Sequence, residues 1–160
     1  MSESVYKVGC RLGNTGLVRS IYTPPLSSFT RLYRLRETIT ASEAPVFAFQ
    51  DRESALAWYQ RMYWRLQQKD LSLVLYAAQA PATQPPPPFL PPSAQWPLWE
   101  EFWWRWHEGG LGVEDEWCGP GERVLRPPKG TVICRQITLT ERIDVRALLG
   151  NAFFWQEKQQ

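Results

Sequence analysis

Polar and apolar residues alternate from the start of the chain. Tyr6, Val8, Cys10 and Leu12 are separated by Lys7, Gly9 and Arg11. A period of two marks a strand with one buried face. Gly13-Asn-Thr-Gly16 is a turn signal, and Leu17 to Tyr22 reads as the returning strand of a hairpin. Pro24-Pro25 ends that strand, because proline has no N–H to give to a ladder. Alternation resumes from Leu32 to Thr40, with Tyr33, Leu35 and Ile39 on one side and Leu32, Arg34, Arg36 and Thr38 on the other. Val46-Phe-Ala-Phe49 is a short apolar run that suits a central strand.

The period then lengthens. Asp51 is placed to cap a helix, with Glu53 in the first turn to favour its dipole. That helix is predicted to reach about Gln67, with Ala55, Tyr59, Met62 and Leu66 inward, flanked by Leu56 and Tyr63. Trp64 falls on the opposite side, beside Gln60, Arg61 and Gln68. Lys69-Asp70 is a turn, and Leu71 to Ala78 reads as a buried strand. From Pro81 to Pro92 the chain is mostly proline, which favours extended polyproline II and predicts a spacer or strap outside the sheet.

A second helix follows in Trp96-Pro-Leu-Trp-Glu-Glu-Phe-Trp-Trp-Arg-Trp-His107, which holds five of the nine tryptophans. Trp99, Phe102, Trp103 and Trp106 follow the i, i+3, i+4, i+7 pattern of one face, so core packing is the default for them. Trp104 points away, among Glu100, Glu101 and Glu108. Pro97 suits the first turn, and Gly109-Gly110 ends the helix. Residues 112–129 read as a long loop. Thr131 to Thr140 is the last strand, rich in β-branched residues. Asp144 caps a short helix to Leu149, stopped by Gly150, and the apolar Asn151-Ala-Phe-Phe-Trp155 is expected to pack back.

These elements predict an α+β fold: a mixed or mostly antiparallel sheet packed on one main helix, with an inserted Trp-rich helix after a proline-rich strap. Residues 1–160 form a single domain on this reading, with 1–80 and 130–155 as the body and 81–129 as the insertion.

Composition narrows the function classes. A net charge of +2 does not by itself imply nucleic acid or membrane. No apolar run approaches the ~20 residues of a membrane span. Met-Ser-Glu-Ser opens no signal peptide, so a cytoplasmic protein is expected. Cys10, Cys118 and Cys134 are odd in number and widely spaced, which suits buried thiols rather than a disulfide framework. His107 is the only histidine, and no pair among it and the cysteines has chelating spacing, so neither metal nor cofactor is expected. No phosphate loop or dinucleotide fingerprint is present. Glu114-Asp-Glu116 and Glu100-Glu101 read as solvated acids rather than a shielded acid–base pair. No catalytic residue is assigned.

Two binding readings remain. Surplus aromatics and arginines suit a protein interface, with Trp64 and Trp104 as candidate anchors for a partner or for self-association. Arg31, Tyr33, Arg34 and Arg36 could instead clamp phosphate while an aromatic stacks on bases, as single-stranded nucleic-acid or nucleotide binders do. An enzyme with an unrecognised site would need a deep pocket lined by acids, or by a cysteine beside His107.

The opening Tyr6-Lys-Val hairpin, Val46-Phe-Ala-Phe-Gln-Asp51 running into Ser54-Ala-Leu-Ala57, and the late Gly130-Thr-Val-Ile resemble small uncharacterised α+β proteins, many encoded by phages. The resemblance spans about half the chain and implies a compact α+β fold and a viral origin. It brings no activity and no site residue.

Overall fold

The first strand, β1 (Glu3–Arg11), is the hub of the sheet. A computed structural model describes residues 2–11, 18–20, 32–41, 44–67, 72–92, 96–150 and 153; for 18–20, 64, 66, 67 and 96 only the backbone is described. The Gly13–Gly16 turn, Pro24-Pro25, Arg31 and Lys69-Asp70 lie outside the described residues.

The other strands are β2 (Val18–Ser20), β3 (Leu32–Tyr33), β4 (Thr38–Thr40), β5 (Val46–Phe49), β6 (Ser72–Ala80), β7 (Thr131–Cys134) and β8 (Gln136–Ile143). The helices are α1 (Arg52–Gln67), α2 (Trp96–His107) and α3 (Val145–Leu149), with one 3-10 turn at Glu114–Trp117. The fold is α+β, and the strands run in the order β3-β2-β1-β6-β8-β4, with β5 paired to β1 and β7. Every pair of these strands is antiparallel.

The sheet closes on itself. Residues 131–143 form two strands joined through Arg135. Their first half pairs with β5 and their second half with β6. Both β5 and β6 pair with β1, so the hydrogen-bonded circuit is complete. A bulge at Ala77/Ala78 helps the turn, since an extra residue increases local twist.

Three cores result. Val5, Val46, Ala48, Ala78, Ile137 and Leu139 fill the inside of the curl. Outside it, α1 lays Ala55, Trp58, Tyr59 and Tyr63 over Val8, Cys10, Phe49 and Leu75. On another outer face, α2 packs Trp99, Phe102 and Trp103 against Phe89, Leu90 and Trp117.

Many local expectations hold. Asp51 caps α1, its Oδ1 accepting the Ser54 N–H at 2.7 Å. Asp144 caps α3 through the Ala147 N–H at 3.2 Å. Gly109 and Gly110 end α2 with their N–H groups on the Trp106 and Arg105 carbonyls, and Gly109 takes φ +85°, the geometry of a Schellman stop. Phe153 does pack back, 5.4 Å from the Tyr63 ring.

Other expectations are corrected. The alternation in β1 is real, but both of its faces are covered, so Lys7 is buried at 2% exposure. Its ammonium donates to the Phe47 carbonyl at 2.6 Å and lies 5.1 Å from the Tyr33 ring centre, which offsets lost hydration. The stretch Leu32–Thr40 is not one strand. It breaks at Arg36, which turns in the left-handed region at φ 65° and gives its N–H to the Leu139 carbonyl at 2.7 Å. The proline strap makes isolated β-bridges at two residues that retain an N–H, one of them to a strand. Gln84 bridges Ile133, and Leu90 bridges Leu125. Pro87 and Pro91 are fully buried beside them. The loop after α2 contains the 3-10 turn, which buries Trp117 and sets its indole N–H on the Leu111 carbonyl at 2.8 Å.

Candidate functional site

Helix α2 sorts its aromatics by face. Phe102 is fully buried, edge-on to Trp103 and Trp117 at 5.2 Å from each. Such pairs add about 0.5–1.5 kcal/mol each beyond the area they bury. Arg105 pins the helix end by lying 4.9 Å over the Trp117 ring and pairing with Glu116 at 3.1 Å. Trp103 is 3% exposed, whereas its neighbour Trp104 is 65% exposed. Around Trp104, one turn away on either side, Glu100, Glu101 and Glu108 are also exposed. No other described tryptophan side chain is exposed. Trp64 belongs to α1, but its side chain lies outside the described residues.

The arginine-aromatic cluster does not assemble as a stacking platform. Tyr33 is 2% exposed and faces the inner core under Lys7, so its ring is not offered to a base. Arg34 and Arg36 are exposed within the turn that the Glu37 N–H closes on the Arg34 carbonyl at 3.3 Å, so strand alternation no longer puts them on one face. Arg31 lies outside the described residues.

The thiols are dispersed. Cys10 is in the core under α1, Cys134 is in the core inside the curl, and Cys118 follows the 3-10 turn. Among the described residues, no three of His, Cys, Asp and Glu come together in a way that could hold a metal ion. Cys134 and His107 do border one cleft, a pairing that the sequence gives no sign of. Burial nevertheless pushes the Cys134 thiol up to about 11, against the pull of the Lys7 charge, and its Sγ rests on the Val46 carbonyl at 3.6 Å. A neutral, buried thiol is a poor nucleophile.

That cleft, of about 180 Å³, lies where the strap and the end of α2 meet the bend between β7 and β8. Its walls include Pro45, Pro81, Trp106 and Ile133, and Gln84, His107, Arg135 and Gln136 supply polar groups. A second cavity of about 420 Å³ lies between α1 and α3 and holds Tyr59, Tyr63, Arg142 and Arg146. Burial there pushes the Tyr59 phenol up to about 12, assisted by Tyr63 and opposed by the two arginines.

No protein-family model, curated protein or solved structure matches the chain. No described helix is long and apolar enough to cross a membrane.

Proposed function

We propose that this protein is a binding module that docks a protein partner through the outer face of α2. The observation that carries this reading is the 65% exposure of Trp104 on a helix whose Trp99 and Trp103 are buried. A large exposed ring on a rigid, well-anchored helix can bury much apolar area at little entropic cost, which is why tryptophan dominates interface hot spots. The flanking Glu100, Glu101 and Glu108 give the partner its character. Arginine or lysine side chains would lie over the indole while pairing with the carboxylates. A phage accessory factor acting on a basic surface of a host protein is one form of this reading. The nucleic-acid alternative has less support, because Tyr33 is buried.

The test is affinity capture from a lysate of the native host, followed by titration of the purified captured protein. A hot-spot tryptophan contributes about 2 kcal/mol or more, so Trp104→Ala should weaken the affinity roughly 30-fold. Glu100→Gln/Glu101→Gln should lower the association rate and its salt dependence. Unchanged affinity with Trp104→Ala would sink the proposal. If Trp104→Ala instead converts a dimer to a monomer in sedimentation, the partner is a second copy of this chain.

A further inference from the structure

The cleft at the β7–β8 bend has a composition of its own, separate from the outer face of α2. Its walls are mostly apolar and include Pro45, Pro81, Trp106 and Ile133. Among the described residues no carboxylate lines it, and Arg135 is the one arginine or lysine that does. Arg135 is exposed at the strand bend, where its carbonyl accepts the Ala41 N–H at 2.6 Å. That bond ties the backbone under the guanidinium to the cleft wall. Neither the Arg105–Glu116 nor the Arg126–Glu114 ion pair uses Arg135. Among the described residues its fork has no carboxylate partner, which leaves it open there to an incoming acceptor.

Size restricts the ligand. An apolar cavity of about 150 Å³ accommodates one benzene ring. The 180 Å³ here is enough for one six-membered ring with a small substituent. Apolar pockets with a few convergent polar groups bind small molecules by burying the body and orienting the head. A guanidinium matches a carboxylate with two parallel hydrogen bonds.

We propose that the cleft between the strap, the end of α2 and the β7–β8 bend binds a small monocyclic aromatic carboxylate, with the ring between Trp106 and the prolines and the carboxylate on Arg135. Gln84 and Gln136 supply further hydrogen bonds at the rim. No bond is made or broken, so the site is one of binding alone. It stands independently of docking through Trp104.

The test is a ligand-observed NMR titration of the full chain with benzoate at fixed ionic strength, beside benzyl alcohol and acetate. Benzoate should saturate one site in the millimolar range or tighter, and both comparison compounds should bind more weakly. Arg135→Gln should weaken benzoate roughly 10- to 100-fold, the value of a charge-assisted pair. Arg61→Gln removes an equal charge from exposed α1 and should change nothing. Ala82→Leu, at an exposed position on the cleft lining, should block the ring while leaving the melting temperature in place. Absence of saturation, equal binding of benzyl alcohol, or indifference to both Arg135→Gln and Ala82→Leu overturns the site.

Discussion

The two long helices cover different outer faces of one curled sheet, and they do so in different ways. Helix α1 lies directly on strands. Its Trp58 meets Phe49 at 5.9 Å, and Tyr59 and Tyr63 sit in the same core as Val8 and Leu75. Helix α2 brings its own wall. Phe89 and Leu90 of the strap and Trp117 of the 3-10 turn complete its core, and Phe47 is the main strand residue that reaches it, 5.9 Å from Trp103. The first helix is part of the body. The second, with residues 84–125, forms a satellite core attached at a few points, among them the Gln84–Ile133 bridge. A satellite of this kind can expose a large aromatic on its far side without loosening the body, because the body does not depend on it for closure.

The largest test of that difference is Phe102→Ala. Removing a fully buried ring costs about 3–5 kcal/mol. If the satellite opens as its own unit, hydrogen exchange should accelerate in residues 84–125 while β1 and β6 amides stay protected. Equal loss of protection in β1 and β6 would merge the two regions into one cooperative core.

Alkaline pH should act on the α1 side. Tyr59 ionises near 10.0 when unfolded and near about 12 when folded, because burial disfavours the phenolate. The folded state therefore holds its proton more tightly. The associated stability is complete below pH 10 and is lost as pH rises through 12, on the order of 2–3 kcal/mol. Urea unfolding across that window should show the decline, and Tyr59→Phe should reduce it, leaving the part that the buried Cys134 thiol carries as it ionises at about 11. An unchanged slope in Tyr59→Phe would assign the decline elsewhere.

Two glycines sharpen the contrast further. Gly130, beside the start of α1, takes φ +85°, and a Cβ there would run into the Ser54 side chain. Gly121, in the loop after the 3-10 turn, takes φ +78° with nothing within 4 Å. Gly121→Ala should cost about 1 kcal/mol for the left-handed backbone alone. Gly130→Ala should cost about 2 kcal/mol, because the clash adds to the strain. Equal melting temperatures for the two variants would remove the close approach as a cause.

The smallest stability effect belongs to Trp104→Ala. An exposed side chain outside any core should change unfolding by no more than about 0.5 kcal/mol, read by thermal melting. A larger loss would place Trp104 in the satellite core and weaken the docking proposal.

Local features are legible in the order of residues. The inward face of α2 is written in the spacing of Trp99, Phe102 and Trp103, because helical period and hydrophobicity act within one turn. Asp51, Asp144 and Gly109 announced their caps for the same reason, since a cap uses only residues three to five positions away. Trp58 is a burial that periodicity could have found, three positions after Ala55 on the same helix face. The outward direction of Trp104 was also legible from spacing, although its exposure depended on nothing else covering it. Tertiary structure alone decided the rest. Burial of Lys7 and Tyr33 follows from closing the sheet through the bend at Arg135, and that closure joins β1, β5, β6 and residues 131–143 across most of the chain. The cleft between the strap, α2 and that bend arises the same way. Alternation says which residues share a side of a strand. Only the pairing of distant strands says whether that side meets water or another layer.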